Sequence, residues 1–368
     1  MDVLIVGGGI IGLLLAKELL QKSVSVTVLD RQAIGKEASW AGGGVVSPLY
    51  PWNYQPCITA LASWAQEAYP DLAEELAAET GIDPEFNQCG LLMLDPPDRG
   101  KITNWAERND KRYEVIDGAE THALEPALGS SEWHGVWWPD IGNVRNPRLL
   151  KSLEIYLQRH SECKLIPECQ VTRFEQSPGG RVAVVANEQR YQADKVVVCA
   201  GAWSNQVLNQ LGIELPIEPV RGQMLVFEPS PGLINGIILH QGRYLIPRLD
   251  GRIVVGSTLE YTGYDKSTTT KARQELLASA CQLVPALDSI PVEAHWAGLR
   301  PGSPHGIPFI GEVPGFPNLY LNAGHFRNGL VLAPASARLM RNILLGEAPI
   351  VDPVPYGLDV ARQSLDYY

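Results

Sequence analysis

The first residues able to do chemistry are three glycines and an aspartate. Gly7, Gly9 and Gly12 stand in a G-x-G-x-x-G spacing, and Asp30 follows eighteen residues after Gly12. The glycines come directly after the apolar run 3–6. They open a helical stripe of Ile10, Ile11, Leu14, Leu15, Leu19 and Leu20. Val24, Val26 and Val28 then alternate into a second strand, which Asp30 closes. In such a β-α-β unit Gly7 permits the tight turn and Gly9 lets the backbone reach a pyrophosphate. Gly12 lets helix and strand pack closely. The free N–H groups and positive dipole end of the helix hold the dianion without a lysine. Asp30 is placed to accept ribose hydroxyls, and its charge repels a 2′-phosphate, which disfavours NADP. The unit alone does not choose between NAD and FAD.

Other chemistries lack their residue patterns. The six cysteines (Cys57, Cys89, Cys163, Cys169, Cys199, Cys281) form no C-x-x-C, and no Cys/His grouping has zinc spacing, so no metal site is expected. No Ser/His/Asp or H-E-x-x-H grouping occurs, and the lone His240, His305 and His325 read as structural. Thirty basic against forty-one acidic residues leave a net charge of −11, with no basic run longer than two, which excludes a duplex-binding stripe. Apolar residues make up 45% and charged residues 19%, the balance of a globular chain with a sizeable core rather than a disordered one. No apolar run approaches the ~18 residues of a membrane span. The start lacks the positive region of a signal peptide. A cytoplasmic protein with reduced thiols is expected.

Stepping along the chain, segment 41–54 is irregular, with three consecutive glycines and Pro48 and Pro51. Helical patterns are expected over 58–76, 147–157, 270–283 and 330–345, with Gly346 as a stop. Strands are expected near 90–94, 134–138, 182–185 and 319–321. Segment 195–199 reads as a fully buried parallel strand. Between 215 and 260 four short strands separated by Gly, Pro and Asp turns indicate an antiparallel sheet. The two textures interleave, so an α/β nucleotide domain built from separated segments, with a sheet domain inserted into it, is expected.

Four further stretches carry a resemblance. They are Ala38-Ser39-Trp40-Ala41-Gly42-Gly43-Gly44, Val196-Val197-Val198-Cys199-Ala200-Gly201-Ala202-Trp203-Ser204, Trp296-Ala297-Gly298-Leu299-Arg300-Pro301-Gly302 and Gly324-His325-Phe326-Arg327-Asn328-Gly329. With the N-terminal glycines they span nearly the whole chain. In that order they resemble the D-amino-acid oxidase superfamily, most closely the glycine oxidase branch of thiamine thiazole synthesis. The resemblance implies tightly held, noncovalent FAD, and no cysteine here matches the flavin-linking position of the related sarcosine oxidases. It places Ile10, Ile11, Asp30 and Arg31, beside Gly7, Gly9 and Gly12, at the pyrophosphate and ribose. Ala38, Ser39, Gly42, Gly43 and Gly44 fall on the loop flanking the flavin, with Gly201 among the cofactor contacts and Val171 meeting the adenine through its backbone. His325, Phe326, Arg327, Asn328, Gly329, Leu330 and Val331 fall beneath the isoalloxazine. It also implies a Rossmann-like FAD-binding domain (1–50, 145–215 and 300–368) and a substrate-binding domain (51–144 and 216–299).

For the substrate, the resemblance implies that Arg300 pairs with an amino-acid carboxylate, a role suited to a guanidinium fork. Tyr244 reaches the same carboxylate, and Arg327 faces the pocket. Gly242 and Leu259 stand where some glycine oxidases carry histidine and methionine. This implies a roomier wall that admits sarcosine or small D-amino acids beside glycine. Tyr50, Trp52 and Tyr54 belong either to the entrance or to a subunit contact. The implied reaction is oxidative deamination of a small amino acid: hydride transfer from Cα to flavin, then reoxidation by O2. The products are imine or glyoxylate, ammonia and H2O2. A homo-oligomer, tetrameric in the family, is implied. The rivals are a D-amino-acid or sarcosine oxidase, a quinone-linked D-amino-acid dehydrogenase and a non-catalytic flavoprotein module.

Overall fold

Alternation along the first strand decides the architecture. In Asp2–Val6 the side chains of Val3 and Ile5 face one way and those of Leu4 and Val6 the other, and all four are buried. A strand buried on both faces belongs inside a layered α/β unit. The computed structural model describes residues 1–176, 182–228 and 231–360. In it Asp2–Val6 is the fourth strand of a six-stranded sheet. From edge to edge the order is Phe309–Glu312, Leu319–Ala323, Lys195–Val198, Asp2–Val6, Ser25–Leu29 and Cys163–Ile166. All neighbours run parallel except the first pair. Val3 and Ile5 join a core with helices Ile10–Leu20, Pro56–Thr80, Asn146–Gln158 and Gly329–Leu345. Leu4 and Val6 pack on the other side against a small sheet of Val171–Gln176, Val182–Ala186 and Gln189–Ala193.

The second large sheet has eight strands, in the order Val292–Gly302, Glu218–Phe227, Ile253–Gly256, Arg243–Pro247, Ile237–His240, Leu91–Leu94, Gly135–Trp138 and Glu114–Ile116. The expected antiparallel pairing holds across it, with one departure: Ile237–His240 runs parallel to Leu91–Leu94. One face, with Leu225, Leu245 and Val255, packs on helix Thr270–Leu283 through Leu276, Ala280 and Leu283. The other face carries Met224, Tyr244, Ile246 and Val254.

Helix Pro56–Thr80 belongs to the core around the parallel sheet. Its buried stripe of Ile58, Leu61, Ala65, Tyr69 and Leu76 lies in the core around the parallel sheet, not on the eight-stranded one. The Tyr69 hydroxyl ties it down by donating to the Leu330 carbonyl at 2.6 Å. Within the expected segments, residues 177–181, 229–230 and 361–368 lie outside the described residues. No helix among the described residues is long and apolar enough to cross a membrane.

Gly12 makes the first turn possible by closeness rather than by backbone angle. A Cβ there would lie 2.0 Å from the Gly7 carbonyl oxygen. That neighbour is backbone and cannot swing aside, so helix Ile10–Leu20 would be pushed off its strand. Gly12→Ala is expected to destabilise the protein by at least ~2 kcal/mol, despite alanine's better helix propensity. Urea unfolding measures this, and an unchanged midpoint would contradict the packing described.

Candidate active site

At the C-terminal end of the parallel sheet the chain turns sharply at Gly7, whose φ is +118° and whose Cβ would meet the Cys199 carbonyl oxygen at 2.3 Å. The turn leaves Gly9 at the N-terminus of helix Ile10–Leu20, with no side chain capping it. The first amides of a helix have no intrahelical acceptor, so this end is built to receive an anion. Ser39 steadies it by accepting the Ile10 N–H at 3.0 Å. Asp30 accepts the N–H groups of Gly8 (2.7 Å) and Gln32 (2.9 Å). Burial raises its pKa, and those two amides oppose the rise.

Next to it, the Arg31 guanidinium lies 3.6 Å from the Trp203 ring centre and 3.1 Å from Glu37. Glu37 is held below the usual carboxyl range: burial works upward, but Lys266, Gln32 and Arg31 outweigh it. Its second oxygen, Oε2, is buried without a partner among the described residues. An orphaned acceptor in this wall is suited to a ligand hydroxyl, since a buried acceptor left unmade is costly.

The middle of the cavity is shaped by the 42–44 glycines. Gly44 has φ +85°, and a Cβ there would lie 2.1 Å from the Val144 carbonyl oxygen. Arg248, which is 9% exposed, fastens this crossing. It donates to the carbonyls of Gly43 and Val144 and to Asn143 Oδ1, each at 2.8 Å. Burial among neutral acceptors brings its pKa down to about 10, which still leaves it charged at neutral pH. On the opposite wall, His325 Nε2 lies 2.9 Å from Ser336 Oγ, and burial holds the ring's pKa down to about 3. It is therefore a neutral, structural histidine. Helix Gly329–Leu345 starts beside it, with its first turn on the cavity.

The far end holds Arg300, Tyr244 and Arg327. Arg300 Nη2 donates to Ser257 Oγ at 2.6 Å and Nη1 to the Thr258 carbonyl at 3.2 Å. No carboxylate lies within ion-pair distance of it among the described residues. Burial lowers its pKa and the Arg327 charge adds to that, while Tyr244 works the other way. Glycines clear the space for both side chains. A Cβ on Gly222 would lie 2.2 Å from the Arg300 guanidinium, and one on Gly43 or Gly256 would lie 2.9 Å from the Tyr244 ring. Gly298 in turn lets helix Glu37–Ala41 close against the strand of Arg300, where a Cβ would be 2.5 Å from Ala41 Cβ.

These parts surround one continuous cavity of about 370 Å³. The expected Gly7, Gly9, Ile10, Ile11, Asp30 and Arg31 line one end of it, with Val171 and Gly201. Ala38, Ser39, Gly42, Gly43 and Gly44 follow, then His325, Phe326, Arg327, Gly329, Leu330 and Val331, with Tyr244 and Arg300. Two expected residues do not reach it. Gly12 is spent on the contact with Gly7, and Asn328 is buried at the N-cap position of helix Gly329–Leu345, with no side-chain cap bond. Glu37, Trp203 and Asn146 also line it, and the sequence reading missed them, although Glu37 and Trp203 directly adjoin or lie within the stretches quoted. Arg300 and Arg327 also border a second cavity of about 560 Å³, which Gly242 and Leu259 line. Segment 41–54 folds inward. Trp52 stacks on Trp138 at 6.4 Å, the Tyr50 hydroxyl accepts the Gly242 N–H at 2.8 Å, and Ser47 and Leu49 touch the main cavity.

Residues 2–343 match the family model described as FAD dependent oxidoreductase. The chain is 50% identical over 355 residues to a glycine oxidase of Pseudomonas putida, covering 96% of this chain and 97% of that one. It is 34% identical over 357 residues to the bifunctional protein ThiO/ThiG of Synechocystis sp., covering 94% of this chain and 52% of that one. Among solved structures it matches the glycine oxidase from Geobacillus kaustophilus with a TM-score of 0.92 at 25% identity, over 97% of this chain and 98% of that one. FAD fits the cavity: a helix N-terminus and one orphaned acceptor, Glu37 Oε2, sit at one end and a glycine-lined trough leads away from them.

Asp30 is expected from the sequence to accept ribose hydroxyls at the nucleotide end, contacts of ~1.5–3 kcal/mol for a charged group. Asp30→Ala is expected to weaken FAD binding by roughly ten- to a hundredfold. Titration of the apoprotein with FAD by fluorescence reads this, and an unaltered affinity would remove Asp30 from the binding site.

Proposed function

Since this chain belongs to the family of FAD-dependent oxidoreductases, we propose that it oxidatively deaminates glycine. O2 is the acceptor, the products are imine or glyoxylate, ammonia and H2O2, and the reaction serves thiamine thiazole formation. The observation that carries this reading is the Arg300 guanidinium at the flavin end of the cavity. It is met by a carbonyl and hydroxyls and by no carboxylate among the described residues. A half-buried cation without a charge partner is costly, and the carboxylate of an amino acid supplies its counter-ion. The glycine oxidase relatives and the ThiO/ThiG relative support the substrate and the pathway.

In this reading FAD supplies the two-electron acceptor, and the protein supplies position. Arg300 grips the carboxylate as a fork, and Tyr244 adds one hydroxyl. Arg327 contributes positive potential, which favours loss of the substrate ammonium proton to water and so the neutral amine. Among the described residues the histidine that lines the main cavity is His325, which is neutral and engaged with Ser336. Orientation over the cofactor, rather than a protein base, therefore carries C–H cleavage. The second cavity, bordered by Gly242 and Leu259, favours acceptance of sarcosine and small D-amino acids as well.

We read the segments around the parallel sheet as the FAD-binding domain and the eight-stranded sheet as the substrate-binding one. A cytoplasmic setting is supported by six cysteines that form no disulfide among the described residues. A homo-oligomer is carried over from the resemblance alone.

Arg300→Ala leaves the substrate carboxylate without its charge partner, so kcat/KM for glycine should fall at least ~100-fold. Arg300→Lys should also be poor, because an ammonium cannot reproduce the fork. Tyr244→Phe removes one hydroxyl, for a loss of about tenfold. Its anaerobic flavin reduction at saturating glycine should stay near wild type. A collapse of several orders of magnitude there would make Tyr244 a proton-abstracting base and overturn the mechanism.

A further inference from the structure

One exposed loop leaves its own sheet and docks on the wall of the cofactor cavity. Residues 261–269 lead into helix Thr270–Leu283 and are almost wholly exposed. Their root is fixed from below. Arg221, only 4% exposed, donates to Asp265 Oδ2 at 2.6 Å and to the Ser267 carbonyl at 3.0 Å, and pairs with Glu260 at 2.6 Å. Gln223 Oε1 accepts the Thr269 N–H at 2.8 Å. The tip of the loop makes its contacts across the molecule. The Tyr264 hydroxyl donates to the Ala202 carbonyl at 3.2 Å, and its ring lies 5.7 Å from that of Trp203. Lys266 Nζ lies 2.9 Å from Glu37 Oε1.

Ala202, Trp203 and Glu37 all line the cavity, at the end where Asp30 and Arg31 stand. Arg31 joins the two docking points, lying against the Trp203 ring and paired with Glu37. The loop therefore bridges the eight-stranded sheet to the nucleotide end of the trough, over the Glu37 carboxylate whose Oε2 is orphaned. The fixed root and the docked tip suit a part that opens as a flap while its hinge stays put.

We propose that residues 261–269 are a clasp retaining the adenosine half of FAD, with Lys266 and Tyr264 as positioning residues that act through Glu37 and Trp203. The clasp does not depend on which amine is oxidised. FAD leaves only after the Lys266–Glu37 pair and the Tyr264–Trp203 contact have parted. Each has one exposed partner, Lys266 or Tyr264, so each contributes only a small factor. The pair is also screened by salt.

The test is the rate at which FAD leaves the holoenzyme, followed as the rise of free-flavin fluorescence after dilution. Lys266→Ala should speed release by roughly 2–5-fold, and Lys266→Ala with Tyr264→Ala by about tenfold or more, whereas Lys266→Arg should stay within about twofold of wild type. Added NaCl should accelerate release less in Lys266→Ala than in wild type. Recapture of FAD by the double variant's apoprotein should be at least as fast as in wild type, because a missing clasp opens the way in as well as out. A double variant that releases FAD at the wild-type rate overturns the proposal. So does one that recaptures FAD more slowly, which is the mark of a damaged site.

Discussion

A guanidinium held inside the protein without a carboxylate is the constraint around which the rest is arranged. Arg300 has neutral acceptors only and a second arginine nearby. Such a cation is stable only where every donor is met, and it awaits an anion. The fold meets this in particular ways. The strand pairing that opposes Val220 to Arg300 brings Gly222 beside it, where any side chain would occupy the guanidinium's place. Gly298, two residues earlier on the same strand, lets helix Glu37–Ala41 close in. The Tyr244 ring slots between Gly43 and Gly256, from the two sides of the trough.

The opposite end solves the complementary problem. There the ligand brings the negative charge, and the protein answers with backbone amides rather than cations. Asp30 and Glu37 add carboxylates beside the nucleotide site while Arg31 and Lys266 keep the local charge near balance. Arg248 fastens the middle of the trough. It reaches from the eight-stranded sheet to the glycine loop of the parallel-sheet side and holds two crossing carbonyls.

The sequence was most legible where local patterns and buried strands coincide. The strand-turn-helix of 3–20, the buried strand Lys195–Val198 and the helix ending at Gly346 (φ +66°) all lie where periodicity and cap residues put them. The small sheet was half seen: Val182–Ala186 shows as an apolar run, but its partner Gln189–Ala193 is polar and mostly exposed and gives no alternation to read. Helix Pro56–Thr80 was found, but which sheet it serves depends on partners such as Leu330, far along the chain. The same holds for Arg248 and for Lys266, whose contact with Glu37 spans 229 residues. A lone charged residue on a loop carries no local sign of the carbonyl or carboxylate it will meet.

Glycine and glycinamide share the amine and the Cα–H bonds and differ in the carboxylate. Anaerobic mixing of the oxidised holoenzyme with each, followed by loss of the visible flavin absorbance, isolates what Arg300 contributes. Glycine is expected to reduce the flavin fully, and glycinamide at least ~100-fold less efficiently at equal concentration, because it leaves the Arg300 guanidinium without its counter-ion. Equal reduction by glycinamide would show that the Arg300 charge does not select or hold the substrate.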